Sequence, residues 1–128
     1  MLVDTDVWVW HLRGYQQATQ KLDSLSTLTI SAITYLELLQ GLRNKTEMNA
    51  IQQSLAMRHT QRLPLTPAIT ERAAALMEAW VLSNGLQLGD ALIAATALEH
   101  QLPLLTGNVK DFSAIPDLRI ERFSMQVP

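Results

Sequence analysis

Residues 90–98, Asp-Ala-Leu-Ile-Ala-Ala-Thr-Ala-Leu, and residues 104–107, Leu-Leu-Thr-Gly, decide the fold. The first stretch is the most apolar helix-like segment of the chain, and the second is a short apolar run that ends at a turn residue. A helix followed by a short buried strand is the repeating unit of parallel sheets that are covered by helices on both faces. This pair of segments therefore predicts an α/β fold.

Four further apolar runs extend the same pattern along the chain. Longer helical patterns separate all five runs, which we interpret as strands at residues 2–3, 28–30, 63–65, 104–105 and 118–120. The alternation predicts a three-layer α/β/α fold with a central, mostly parallel sheet of roughly five strands.

Capping residues and apolar spacing predict the helices. Thr66 offers a capping hydroxyl, Pro67 suits the first helical position, and apolar residues then recur at helical spacing as far as Gly85. Ser31 can cap a second helix that ends at residue 41 or 42. Residues 16–25 and 46–57 are predicted as further helices. Residues 7–10 have strand-like composition but suit a short crossover helix, which we prefer.

Composition limits the class of protein. A chain of 128 residues with 48% apolar content can bury one core, so we expect a single domain over residues 1–128. The absence of cysteine excludes disulfides, thiolate metal sites and cysteine nucleophiles, and suits a reducing compartment. No leader pattern and no apolar run near the ~20 residues that span a bilayer are seen. We therefore expect a cytoplasmic protein with no membrane contact.

The balance of charge excludes a protein that coats nucleic acid through a broad basic face. The net charge is −2 and the isoelectric point is near 5.8. Any contact with RNA should therefore be local. The cations that could contribute have acids interspersed among them and are better explained as solvated surface: Arg13, Arg43, Lys45, Arg58, Arg62 and Lys110.

Five carboxylate or amide residues lie at the ends of apolar segments or on helical runs: Asp4, Glu37, Asp90, Asn108 and Asp111. Ligands of parallel sheets bind outside the carboxyl ends of the strands, so these side chains could converge on a site for a metal ion. Each also has a structural explanation. Asp4 and Asp90 could cap helices, Asn108 and Asp111 suit a turn, and helical periodicity places Glu37 on a solvated face.

Other polar and aromatic residues carry weaker signals. His11, His59 and His100 have no partner at ligand spacing, so none is expected to be catalytic. Thr5 and Thr106 could donate hydrogen bonds within an acidic site, although cap and turn roles explain both. The large aromatic residues could serve interfaces, but buried core is the better expectation for most of them: Trp8, Trp10, Tyr35 and Trp80.

Four segments in this order resemble the PIN-domain family, particularly the toxin nucleases of VapBC toxin-antitoxin pairs. They are Leu-Val-Asp-Thr-Asp-Val at 2–7, Ser-Ala-Ile-Thr-Tyr-Leu-Glu-Leu-Leu-Gln-Gly at 31–41, Gly-Asp-Ala-Leu-Ile-Ala-Ala-Thr-Ala at 89–97, and Leu-Leu-Thr-Gly-Asn-Val-Lys-Asp-Phe at 104–112. Each motif is loose by itself. Together they cover essentially the whole chain and are specific.

The resemblance implies a set of site residues and a cofactor. Asp4, Glu37 and Asp90 become the metal-binding acids, and the fourth position falls on residues 108–111. Many members of the family carry aspartate where this chain has Asn108, whose amide can bind a cation but adds no negative charge. Asp111, about one helical turn further on, could supply the missing carboxylate. Converging carboxylates repel by about 4 kcal/mol at about 4 Å and an effective dielectric of ~20, so Mg²⁺ or Mn²⁺ is expected.

The resemblance also implies an activity and partners. The expected protein is an endoribonuclease that cuts single-stranded or loop regions of RNA and inhibits translation when free. The expected partners are the RNA substrate, a cognate antitoxin that blocks the acidic site, and a second copy of the chain in a homodimer.

Two alternatives remain open on the sequence. Asp4-Thr5-Asp6-Val7 after a strand also resembles the opening motif of haloacid-dehalogenase-like phosphatases, for which Asp6 would be indispensable. The nuclease interpretation predicts that replacement of Asp6 is tolerated more easily. Alternatively, Asn108 could mark a PIN-like module that has lost catalysis and only binds RNA or protein.

Overall fold

The computed structural model describes residues 1–125, in which β-strands alternate with helices. The elements of the first half are β1 (Leu2–Val3), α1 (Thr5–Leu12), α2 (Gln16–Ser24), β2 (Thr29–Ser31), α3 (Ala32–Gln40) and α4 (Lys45–Met57). The second half contains β3 (Gln61–Leu63), α5 (Pro67–Asn84), α6 (Leu88–Glu99), β4 (Leu104–Thr106), α7 (Val109–Phe112) and β5 (Ile120–Arg122).

The five strands form one sheet in the order β3-β2-β1-β4-β5, and all four pairings are parallel. The chain adds β2 and β3 on one side of β1, and then returns to add β4 and β5 on the other side. The carboxyl ends of β1 and β4 therefore border the point where the strand order reverses, which is where open α/β sheets leave a crevice for ligands.

Helices cover both faces of the sheet. Leu2 and Leu104 are fully buried in an apolar cluster with residues of α5 and α6. Their neighbours Val3 and Leu105 are fully buried in a second cluster with residues of α1, α2, α3 and α4. Successive side chains of a strand point to opposite faces, so these pairs separate the two cores. The predicted three-layer α/β/α fold is confirmed.

The predicted helices are confirmed with small shifts of their ends. Thr66 caps α5 by accepting a hydrogen bond from the Ile69 amide at 3.2 Å, and Gly85 ends this helix in the left-handed conformation at φ 64°. Ser31 caps α3, which ends at Gln40. The ambiguous residues 7–10 lie within α1, so the helical interpretation was correct.

The edge strands are each displaced by two residues from the predicted positions: β3 lies at 61–63, before the predicted 63–65, and β5 lies at 120–122, after the predicted 118–120. Polar residues occupy much of both strands, and Gln61, Arg62 and Arg122 are exposed. The position of an edge strand is determined by its backbone pairing with the inner neighbour, here β2 or β4. A short apolar run is therefore a poor predictor of the position of an edge strand.

The aromatic residues belong largely to the cores, as expected. Trp8 is 1% exposed within the cluster on the α1 side, and Trp80 is partly buried against the opposite cluster. Trp10 and Tyr35 are partly buried and pack against the same cluster as Trp8. Over residues 1–125, no helix has both the length and the apolar character needed to cross a membrane.

Candidate active site

Asp4 joins the ends of two neighbouring strands. It follows β1 directly and caps α1, with Oδ1 accepting a hydrogen bond from the Thr5 amide at 2.7 Å. Its Oδ2 accepts a hydrogen bond from the hydroxyl of Thr106, the last residue of β4, also at 2.7 Å. Both carboxylate oxygens are oriented in this way, and Asp4 is only 3% exposed. The expected capping role is therefore real and coexists with a place in the crevice.

Glu37 on α3 points towards the same crevice. The Thr5 hydroxyl donates a hydrogen bond to Glu37 Oε1 at 2.7 Å, and the hydroxyls of Thr5 and Thr34 share a hydrogen bond at 3.0 Å. A Cβ atom at Gly89 would lie 3.0 Å from Glu37 Oε2, so α6 also approaches this carboxylate closely. The prediction of a solvated surface glutamate was wrong because α3 packs against both α1 and α6.

Asp90 lies in the first turn of α6. The helix begins at Leu88 and the capping position is Gln87, so the expectation that Asp90 caps this helix was wrong. Burial, and then the charges of Asp111, Glu37 and Asp6, raise the pKa of Asp90 to about 6. These charges show that several carboxylates of distant segments approach one another here.

Four of the five predicted site residues line one cavity of about 340 Å³. It lies at the switch point of the sheet, where the order of the strands reverses. The lining residues are Asp4, Thr5, Asp6, Val9, Trp10, Arg13, Glu37, Asp90, Ile93 and Asn108. Asp111 does not line this cavity, but its charge is the strongest charge acting on the pKa of Asp90. Asn108 precedes α7, and its amide donates a hydrogen bond to the Thr106 hydroxyl at 2.9 Å.

Two charged residues that line the cavity were not assigned to the site from the sequence. Asp6 has one signal, because it lies two residues after Asp4 in the first turn of α1. Its Oδ2 accepts a hydrogen bond from the Gly107 amide at 2.9 Å. Arg13 caps the carboxyl end of α1 and is the one cation among the lining residues. No sequence signal distinguishes Arg13 from the surface cations with which it was grouped.

The surroundings of the cavity raise the pKa of its carboxyl groups and so disfavour their charged forms. Burial, and then the charge of Asp6, raise the pKa of Asp4 to about 7, against the opposing hydrogen bonds from Thr106 and Thr5. Burial likewise raises the pKa of Asp6. A bound cation would favour the charged forms of these carboxyl groups and offset their repulsion.

The donor set suits a hard divalent cation. Carboxylate and amide oxygens are the ligands of Mg²⁺ and Mn²⁺. Asp6 Oδ1 is buried and has no hydrogen-bond partner within residues 1–125, which leaves one acceptor for which a cation would compensate. In the same part of the chain, no group of three His, Asp or Glu side chains is arranged so that it could hold a metal ion by itself. The residues fit a cation that also retains water ligands.

His11, His59 and His100 are not among the residues that line this cavity. The ring nitrogens of His11 lie 2.7 Å from the Thr19 hydroxyl and 3.1 Å from the Ser54 hydroxyl. Burial, and then the charge of Arg58, lowers the pKa of His11. His11 therefore links α1 to α2 and α4 as a structural residue.

The fold and the acidic crevice define the class to which the chain belongs. The PIN domain family model matches residues 1–118, and the chain is a member of this family. Within it, the chain is 38% identical to Ribonuclease VapC10 of Mycobacterium tuberculosis over 123 residues, which cover 93% of this chain and 90% of that protein. The resemblance to VapC-type toxins is thus confirmed, and the phosphatase alternative is left without support.

Solved structures give the same result for the fold. A toxin-antitoxin complex from Klebsiella pneumoniae contains a chain that is 31% identical, with a TM-score of 0.77 and coverage of 91% of this chain and 93% of that one. The crystal structure of VapBC2 from Rickettsia felis, bound to a DNA fragment from its promoter, contains a chain that is 24% identical and aligns with a TM-score of 0.79. The alignment covers 96% of this chain and 98% of that one.

Proposed function

We propose that this chain is a VapC-type toxin, a Mg²⁺- or Mn²⁺-dependent endoribonuclease that hydrolyses phosphodiester bonds of RNA and inhibits translation when free of its antitoxin. The observation that carries the proposal is the convergence of Asp4, Glu37, Asp90 and Asn108 on one cavity at the switch point of the sheet. The similarity to Ribonuclease VapC10 supports it. We treat residues 1–128 as one functional domain that acts in the cytoplasm, where its RNA substrate would be.

The residues of the cavity would have distinct roles. Asp4 and Asp90 would bind the cation directly, and Glu37 would bind it directly or through a water. Asn108 and Asp111 would complete the site, the first with an amide oxygen and the second through its charge near Asp90. The hydroxyl of Thr5 would orient Glu37 and that of Thr106 would orient Asp4, because each donates a hydrogen bond at 2.7 Å.

At such a site, Mg²⁺ or Mn²⁺ would neutralise phosphate charge, lower the pKa of a bound water and stabilise the leaving oxygen. The nucleophile we propose is a water molecule, so that hydrolysis would form no covalent enzyme intermediate. Arg13, which lines the acidic cavity, would bind a phosphate of the RNA backbone.

The decisive experiment is cleavage of total RNA by the purified protein with Mg²⁺ or Mn²⁺, beside an EDTA control and the Asp90→Asn variant. We expect discrete, metal-dependent products from the wild type. The cleavage rate of the variant should fall by more than the roughly 10- to 100-fold that removal of a hydrogen-bond partner of a metal ligand costs. Asp117→Asn is the matched control, because it makes the same change of charge in a turn away from the cavity.

The outcomes of this experiment separate the candidate functions. An Asp90→Asn variant that cleaves normally would remove Asp90 from the mechanism. A folded wild type that cleaves no class of RNA would contradict the nuclease and favour the alternative of a PIN-like module that only binds RNA or protein. Asn108, which brings no charge, is the residue that favours that alternative.

A groove beside the cavity is suited to the antitoxin. It has a volume of about 590 Å³, lies between α1, α3 and α4, and shares Val9, Arg13 and Glu37 with the acidic cavity. Its apolar lining includes Leu12, Leu38, Leu42 and Ile51. An antitoxin segment bound here could reach the acidic cavity directly. The toxin-antitoxin complexes among the similar structures support this partner.

We also propose a homodimer as the functional assembly. Exposed apolar side chains that a second copy of the chain could cover include Leu36 on α3, 53% exposed, Leu82 on α5, 96% exposed, and Leu88 on α6, 65% exposed. Light scattering at micromolar concentration should give twice the 14.3 kDa mass of the chain. A monodisperse monomer would contradict the dimer without affecting the proposed chemistry.

A further inference from the structure

Asp6 has the geometry of a site residue although the roles above do not use it. We propose that Asp6 is a further carboxylate ligand of the divalent cation, with Oδ1 as the donor atom. The inference rests on the proposed metal-dependent function and adds a residue to its site. It replaces the expectation that substitution of Asp6 is tolerated.

The two carboxylate oxygens of Asp6 have different surroundings. Oδ2 accepts the hydrogen bond from the Gly107 amide at 2.9 Å, whereas Oδ1 is buried and has no hydrogen-bond partner in the described part of the chain. A buried acceptor without a partner is costly, and more so when it carries charge. Asp6 also lines the cavity with Asp4, Glu37 and Asp90. A cation in that cavity would supply the partner that Oδ1 lacks.

Gly107 holds the carboxylate of Asp6 in this orientation. A Cβ atom at this position would lie 2.8 Å from Asp6 Oδ2, which is closer than real Cβ atoms approach, and 3.4 Å from the carbonyl oxygen of Phe123. The absence of a side chain therefore lets the β4–α7 loop contact Asp6 directly. Because Oδ2 is anchored to the backbone, Oδ1 is the oxygen left for a ligand.

Asp6 brings negative charge to a part of the cavity wall where the neighbouring loop brings none. Asn108, in the loop after β4, lines the cavity with an uncharged amide. Asp6 lies against the same loop through its bond to Gly107 and adds a carboxylate there. Hard divalent cations bind more tightly as the number of carboxylate ligands increases.

The test is Mn²⁺ binding to the full-length protein, measured by isothermal titration calorimetry on the wild type and three variants. Asp6→Asn removes the charge but keeps an oxygen that can accept from the Gly107 amide, whereas Asp6→Ala removes both. Asp117→Asn is the matched control. We expect the Kd for Mn²⁺ to rise at least about tenfold in both Asp6 variants and to stay unchanged in the control.

The outcomes distinguish a role of Asp6 as a metal ligand from a role as an anchor of the loop. Wild-type affinity in Asp6→Asn with loss in Asp6→Ala would reduce Asp6 to an anchor of the loop and overturn its role as a ligand. A wild type that binds no Mn²⁺ would overturn the ligand role together with the metal site. Weaker binding in Asp6→Asn supports the proposal even if no RNA is cleaved, so its failure and that of the proposed nuclease are distinguishable.

Discussion

Asp4 and Asp90 are carboxyl groups whose pKa the fold raises, to about 7 and about 6, mainly through burial. In the unfolded chain both would titrate near 3.8, so between about pH 4 and pH 7 the folded state binds more protons. Their stabilising contribution is complete below the unfolded pKa and is lost as the pH rises through the folded pKa. We therefore expect the free energy of unfolding of the metal-free protein to fall across this range.

Denaturant unfolding of wild type and Asp90→Asn in EDTA, at several pH values, measures this effect. The variant should be at least as stable as the wild type near pH 7, and its stability should fall less as the pH rises. Identical pH dependence in the two proteins would show that Asp90 titrates normally. The comparison isolates one carboxyl group from all others that titrate in the same range.

Thr5 is the residue through which two acids are positioned, because its amide donates to Asp4 and its hydroxyl to Glu37. Thr5→Val removes the hydroxyl at nearly constant volume, whereas Thr5→Ser keeps it. We expect Thr5→Val to lower kcat on a defined RNA by roughly 10- to 100-fold, as loss of a supporting hydrogen bond does at metal sites. Thr5→Ser should remain close to wild type, and equal losses in both variants would argue for packing instead.

The first turn of α6 is built around a close approach to Glu37. Alanine at Gly89 would place Cβ 3.0 Å from Glu37 Oε2, the movable end of a side chain, which can shift by a few tenths of an ångström. Alanine also favours the helix over glycine by up to about 1 kcal/mol. We expect Gly89→Ala to keep or raise the melting temperature and to lower RNA cleavage, since it displaces Glu37.

Melting temperature and cleavage rate, measured on the same preparation of Gly89→Ala, test this expectation. A variant with wild-type activity would show that the position of the Glu37 carboxylate is not critical. A marked loss of stability would show that Glu37 cannot move. Gly85→Ala is not a useful control, because Gly85 has φ 64° and alanine there would strain the end of α5.

At the scale of the whole molecule, the proposed metal site should couple cation binding to folding. Segments from β1, α3, α6 and the loop after β4 meet only in the folded state, so a cation bound there favours that state. Free Mn²⁺ at about 100 times its Kd should add about 2.7 kcal/mol to the free energy of unfolding. Calorimetric melting with increasing Mg²⁺ or Mn²⁺ measures the shift. No shift up to saturating Mn²⁺ would contradict a metal site formed by the fold.

Parts of the site could be predicted because they depend on local position. Asp4 follows the buried pair Leu2–Val3, and Asn108 follows β4 closely, so the parallel sheet places both at one edge. Glu37 is different, because helical periodicity on α3 assigned it to solvent and only the family resemblance placed it in the site. Asp6 and Arg13 lie on α1, whose cavity-facing side depends on how that helix packs.

The sequence by itself determined the alternation of strands and helices, the parallel sheet and the family. These properties follow from apolar runs, caps and spacing, which act over a few residues. Only the tertiary structure decided the positions of the edge strands, the direction of Glu37 and the pairing of Asp6 with Gly107. The hydrogen bonds Thr5–Glu37, Asp6–Gly107 and Asp4–Thr106 span 32, 101 and 102 residues. Contacts at such separations form only when the sheet and its helices pack, and no local pattern encodes them.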